Sequence, residues 1–417
     1  MQLQRLTASL VCLLYTSTLL ADWPEFRGPT RDGVARGVEL PTVWSPEQNI
    51  VWRSELPGEG WSSPVVVGDF VYLTAAIPSE SDAANAGYEL ALLIVDARTG
   101  KLTKRVPLFA EAADAPRIHQ KNSHASPTPV RAGSRLYLHF GHQGTACTTL
   151  DGEVIWKNNA LRYPPVHGNG GSPAIVEDLL IFSRDGEDIS EVTALDAATG
   201  QVAWRRQRDV EAQKRFSFCT PLVLEVGGRQ QLILPGSNVV QSLNPKSGEE
   251  YWRVTHDGYS VVPRPIYESG LVLVCTGFDR PRLLAIDPTG NGDVTDTHVK
   301  WQSASNIPLT PSLLGFDGRV AMINDQGIAS CLDARSGKQL WKERIGGNFS
   351  ASPLLAGHRM YMLSEDGTCT ILDVSGSPTV VAVNQLKERS LASPAVVDHD
   401  LLVRTSAALY RIGHPSR

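Results

Sequence analysis

The sequence predicts an all-β chain folded as an eight-bladed β-propeller with four-stranded blades. Three observations carry that prediction. The first is a recurring hairpin. Residues 195–204 read LDAATGQVAW, 243–252 LNPKSGEEYW and 332–341 LDARSGKQLW; residues 95–106 (VDARTGKLTKRV) lack the Trp. A shortened copy lies at 150–156, a lengthened one at 286–301 and a degenerate one at 372–383. In each full copy a strand ends at Leu followed by Asp or Asn. That side chain can bond the turn, and Gly supplies the positive φ that a tight turn needs. One such hairpin cannot bury its own apolar face, whereas stacked copies can.

The second observation is a Ser-Pro or Thr-Pro ahead of β-branched and aliphatic residues, with Arg264-Pro265 filling one gap. The prolines are Pro64, Pro127, Pro173, Pro221, Pro265, Pro311, Pro353 and Pro394, at steps of 63, 46, 48, 44, 46, 42 and 41 residues. Six of the seven steps lie near the ~40–45 residues of a four-stranded propeller blade. The third observation concerns the ends. The last unit stops one strand short after Ile412, and an unassigned strand with a matching Trp, residues 49–53, precedes the first unit. Pairing these two closes the ring and removes two exposed edges.

Taken in order, residues 1–21 read as a signal peptide: one charge, Arg5, then a short apolar region interrupted by Thr and Ser. Cys12 lacks the small residues that a lipoprotein signal places before it. The expected product is exported, to periplasm or extracellular space, with no transmembrane segment. Residues 22–48, rich in Pro and Gly and carrying Trp23, Phe26 and Trp44, read as an extended arm lying over the propeller. Residues 49–413 form the propeller, with 49–58 completing the last blade. Residues 77–88 and 109–121 read as loop insertions, which lengthen the first step.

Net charge is −5 with no basic block, so a phosphate-tracking nucleic-acid surface is not expected. Cys147, Cys219, Cys275, Cys331 and Cys369 fall in strands and read as buried small residues. There is no Cys-x-x-Cys, Gly-x-Ser-x-Gly, phosphate-binding Gly-x-x-x-x-Gly-Lys or Gly-x-Gly-x-x-Gly. Residues 287–296 alternate oxygen side chains but lack the terminal Glu of a calcium loop, so a plain turn is expected. The recurrent blade-end tryptophans read as packing between blades.

In a propeller the loop entering each first strand and the loop joining strands two and three open on one face. Here those loops carry Trp61, Asn122, His124, His142, Asp185, Arg215, Phe216, Arg264, Asp279, Arg280, Asp325, Glu365 and Arg404. A mouth ringed by such groups is the candidate ligand site. Many Asp-Gly and Asn-Asp pairs in these loops also serve simply as turn formers. His119, His124, His142 and His167 cluster in blades two and three, but their spacing matches no metal-ligand pattern.

The repeated units LDAATGQVAW and LDARSGKQLW, with their Ser-Pro strands, resemble the tryptophan-docking repeats of the pyrroloquinoline-quinone (PQQ)-like β-propeller family. That family includes the quinoprotein dehydrogenases and the outer-membrane assembly factor BamB. The resemblance covers Asn49 to about Ile412, and the opening WPEFRG is similar to exported propellers of the group. The enzyme branch implies PQQ, calcium, a catalytic Asp and adjacent cysteines; this chain has no adjacent cysteines. Asp185 and Asp325 are the best-placed acids, by loop position only. The expectation is therefore a non-catalytic, BamB-like binding or scaffold protein that takes a protein, peptide or glycan at the loop face and requires no cofactor. The alternatives are a PQQ-dependent dehydrogenase with calcium, or a hydrolase or lyase using Asp185 or His124.

Overall fold

A computed structural model of the chain describes residues 22–79, 87–111 and 115–413. The expected signal peptide at 1–21 lies outside the described residues, as do parts of both expected insertions.

Eight antiparallel four-stranded blades surround an axis. From blade 1 to blade 8 the inner strands are Val65–Val67, Val130–Ala132, Ala174–Val176, Leu222–Val226, Ile266–Glu268, Leu314–Phe316, Leu354–Ala356 and Ala395–Val397. The seam is as expected. Ile50–Glu55 pairs antiparallel with Ala408–Ile412, from Ile50 opposite Ile412 to Glu55 opposite Ala408, with a bulge between Ile50 and Trp52.

The hairpin turn works as its residues suggest. Asp196 Oδ1 accepts the Thr199 N–H at 2.8 Å and its hydroxyl at 2.7 Å. Gly200, at φ 73°, donates its N–H to the Asp196 carbonyl at 2.8 Å. The Gly has a second reason to be there: a Cβ would lie 2.5 Å from the Trp156 ring of the preceding blade. Trp156 Nε1 in turn donates to the Ala197 carbonyl at 3.0 Å. Trp52 docks on Ala97 and Gly100 in the same way, so the seam blade is locked to blade 1 by the ordinary inter-blade contact.

The Ser/Thr-Pro marker has a job the sequence does not spell out. Around the channel, the hydroxyl two residues before an inner strand accepts a backbone N–H from the preceding blade. Ser63 N–H donates to Thr128, Thr128 to Ser172 and Ser172 to Thr220. Across the ring Arg264 N–H donates to Ser312, Ser312 to Ser352 and Ser352 to Ser393, at 2.8–3.0 Å. This belt corrects the marker twice. The equivalent residues in blades 2 and 6 are Thr128 and Ser312, each two positions after the Ser126 and Thr310 that precede the counted prolines.

The arm is also corrected. It does not lie over the propeller but threads the channel. Trp23 bridges to Val66 of blade 1, and the Pro24 carbonyl accepts the Arg131 N–H of blade 2. Arg27 donates to the carbonyls of Leu313 and Pro353 in blades 6 and 7. Val34–Ala35 then adds a parallel strand inside Leu354–Ala356. Farther on, buried Trp44 packs in the same cluster as Ala382, which stands where other blades carry their Trp. Asn384 fixes this contact by accepting the Trp44 N–H and donating to the Thr42 carbonyl.

Candidate functional site

The axial channel opens at the loop face into a cavity of about 540 Å³. Its floor is Phe26, delivered by the threaded arm, with the hydroxyls of the belt around it. Beneath, Arg264 donates to the Phe26 carbonyl at 2.7 Å and to Glu25 at 3.2 Å. Burial pushes the Arg27 guanidinium down to about 9, although it stays charged at neutral pH.

One wall is an aromatic arc. His119 meets His167 edge-on with ring centroids 5.5 Å apart, His167 meets Phe216 at 5.2 Å, and Phe216 meets Tyr259 at 5.6 Å. Phe278 continues the arc beyond Tyr259 at 6.2 Å and is partly exposed. These rings come from the loops entering blades 2 to 5 and from the short two-stranded ribbon Gly258–Tyr259 with Phe278–Asp279. Edge-to-face contacts hold the first four rings in place, and the Lys214 ammonium lies over the Tyr259 ring, 3.9 Å from its centroid.

A strap crosses the mouth. On one side the His167 carbonyl accepts the His119 N–H at 3.1 Å and Asn122 Nδ2 at 2.8 Å. On the other, Lys121 pairs with Glu365 at 2.8 Å, and Arg389 donates to the Gln120 carbonyl at 2.7 Å. The strap thus ties blade 3 to blades 7 and 8 above the cavity. Arg389 also lies over the Trp61 ring, 5.7 Å from its centroid.

Of the residues expected at the mouth, Trp61, Asn122, Phe216 and Asp325 line the cavity. Asp325 is occupied by the Leu309 N–H at 2.7 Å. Glu365 is held by Lys121 and by the Ser350 hydroxyl at 2.6 Å. Arg215 donates to the Asp188 carbonyl at 3.2 Å. Asp279 and Arg280 sit on the exposed ribbon, in loose pairs at 3.7 Å with Lys214 and Asp257.

The other five are placed differently and are corrected. Asp185 is fully buried against Arg208, with contacts of 2.9 and 2.8 Å; burial pushes its pKa up while the guanidinium opposes that push. A carboxylate so engaged is a structural counter-ion. Arg264 lies below the floor. Arg404 is buried, donates to the Ser62 carbonyl and hydroxyl, and is pushed down to about 9 by desolvation. His124 is buried beside Gln143 and Tyr88. His142 is buried against Asn169 and pushed down to about 4, so it stays neutral. Loop position alone could not separate these buried groups from the lining.

The mouth loops read from the sequence held Lys121, His167, Tyr259 and Phe278 without singling them out as candidates; His119 was weighed only in a histidine cluster, and neither Phe218 nor Phe26 as floor was foreseen. Periodic aromatics at the same loop position in successive blades were the available signal. Among the described residues, no group of three or more His, Cys, Asp or Glu is arranged to hold a metal ion. No helix among them is long and apolar enough to cross a membrane.

The chain matches, over residues 89–297 and 236–412, the family model described as outer membrane protein assembly factor BamB. It is 26% identical over 230 residues to the outer membrane protein assembly factor BamB of Yersinia pestis, covering 52% of this chain and 55% of that protein. It is 24% identical over 215 residues to the BamB of Legionella pneumophila (strain Paris), covering 49% and 50%. The chain spans about half the length of the curated relatives it matches. Among solved structures, BamB from Moraxella catarrhalis superposes with a TM-score of 0.58 at 14% identity, covering 87% of this chain and 99% of that one. The quinohemoprotein alcohol dehydrogenase from Comamonas testosteroni superposes at 0.67 and 12% identity, covering 95% and 81%. These structural likenesses speak for the fold.

Proposed function

Because this chain belongs to the family described as outer membrane protein assembly factor BamB, we propose that it is an exported, non-catalytic scaffold that holds an extended segment of a partner protein in the axial cavity. The observation that carries this reading is the aromatic arc over Phe26. A cavity of about 540 Å³ falls in the range of ligand-sized sites. Rigid rings bury large area at low entropic cost, which suits capture of side chains on a partner segment. Outside the cavity wall, Asp185 is engaged by Arg208, and His139 and His142 are buried neutral imidazoles.

The dehydrogenase reading requires a site for a tricarboxylate quinone and calcium. The cavity walls offer one carboxylate, Asp325, already bonded to Leu309, and one ammonium, Lys121, already paired with Glu365. That donor set does not fit the pair.

The test places a photoreactive phenylalanine analogue at Phe278 in the exporting cell. The expected result is a discrete protein adduct that is lost when Phe216→Ala and Tyr259→Ala are added and the thermal melt is unchanged. Adducts indifferent to those changes would remove the cavity as the site. A quinone absorbance after incubation with PQQ and calcium would instead restore the enzyme reading.

A further inference from the structure

The outer strand of a blade is an exposed sheet edge, and seven of the eight here carry Lys or Arg. They are Arg53, Lys104 with Arg105, Lys157, Arg205 with Arg206, Arg253, Lys300, and Lys342 with Arg344. Charge on an edge strand is the common device against edge-to-edge pairing. Blade 4 has a second one, the covering strand Gly292–Asp293.

Blade 7 has neither. Its outer strand, Thr379–Gln385, reads TVVAVNQ and carries no charge. It is also the end strand of its sheet, so its outer backbone groups meet no strand among the described residues. Val380, Val381 and Val383 are 59%, 42% and 61% exposed. Val43 of the arm, 51% exposed, lies beside them, because Thr42 and Trp44 are both bonded to Asn384. Three exposed valines along an uncharged edge have a high tendency to pair with another strand.

We propose that this edge seats a second copy of the chain, the two Thr379–Gln385 strands pairing antiparallel about a two-fold axis near Ala382. Unmet N–H and C=O groups along an edge call for an extended strand and no other shape. An identical strand fits by charge: it brings no Lys or Arg, which every other blade's edge strand carries. A two-fold interface needs a self-complementary patch, and a run of valines around Ala382 is one. Seven residues bury less than the ~1,200 Å² of a standard stable interface, so the dimer is weak and concentration-dependent.

The test is sedimentation equilibrium of the full chain over a wide concentration range. Wild type should approach twice its 45.3 kDa mass at the highest concentrations. Val381→Lys/Val383→Lys, which restores the cationic edge of the other blades at exposed positions, should weaken association by roughly ten-fold or more. Ala382→Cys should form an intermolecular disulfide in wild-type background and not in the double-Lys background. A wild type that stays monomeric throughout overturns the proposal and leaves the edge to another protein's strand. A dimer that survives the lysines overturns it too, by placing the interface elsewhere.

Discussion

Acidification should loosen this propeller well before its turn carboxylates protonate. His139 is buried against Phe182, with ring centroids 4.2 Å apart, and bonds the Thr145 hydroxyl at 2.8 Å; desolvation pushes it down to about 3. His142 and His256 are each pushed down to about 4, again chiefly by burial. Each folded-state pKa lies below the unfolded ~6.5, so the folded state resists the proton that the unfolded chain accepts. The stability is fully present above pH ~6.5 and is lost as pH falls toward the folded values. At pH 5 the loss is about 2 kcal/mol per imidazole, or roughly 6 kcal/mol for three if they act independently. For a ring of this length that corresponds to a fall in Tm of roughly 7 °C. The turn acids Asp96, Asp196 and Asp333 are held below the usual carboxylate range by their Thr or Ser partners. Their contribution is lost only at more acid pH. The assay is calorimetry at pH 7.5, 6 and 5, with His139→Gln and His142→Gln each expected to flatten the slope by about a third. Equal melting temperatures at pH 7.5 and 5, or variants that keep the full slope, would refute the reasoning.

Two further outcomes follow from the belt and the strap. Ser312→Ala leaves the Arg264 N–H without its acceptor and should cost about 1–3 kcal/mol in a denaturant melt, while Ser312→Thr, which keeps the hydroxyl, should cost much less. Lys121→Ala removes the exposed end of the strap's ion pair. It should raise amide exchange across residues 118–122 several-fold with little change in Tm, and added salt should mimic it in wild type.

Blade number, blade length and the closing partnership of Ile50–Glu55 with Ala408–Ile412 were legible because turn chemistry repeats locally: Asp, Ser or Thr, and Gly at fixed offsets. The belt was legible only as a proline marker. Its hydroxyl is the functional atom, and in blades 2 and 6 a second nearby hydroxyl sits at Ser126 and Thr310. The course of residues 22–44 was not legible, because an arm without periodicity gives no signal of which surface satisfies it. The site was half legible for a similar reason. Trp61 and Phe216 could be placed by loop position, but the same loops bury Asp185 and His142, and whether a polar side chain faces water or Arg208 is a tertiary property.

The stitched blade has a consequence for how the molecule comes into being. Its first-made ribbon must wait, unmatched, through some 350 residues of further synthesis before Ala408–Ile412 arrives to meet it. A premature stop anywhere ahead of that last segment would leave one free margin at each terminus instead of a trimmed but sound product. Shortened chains should therefore be cleared by proteolysis and not accumulate as seven-bladed rings.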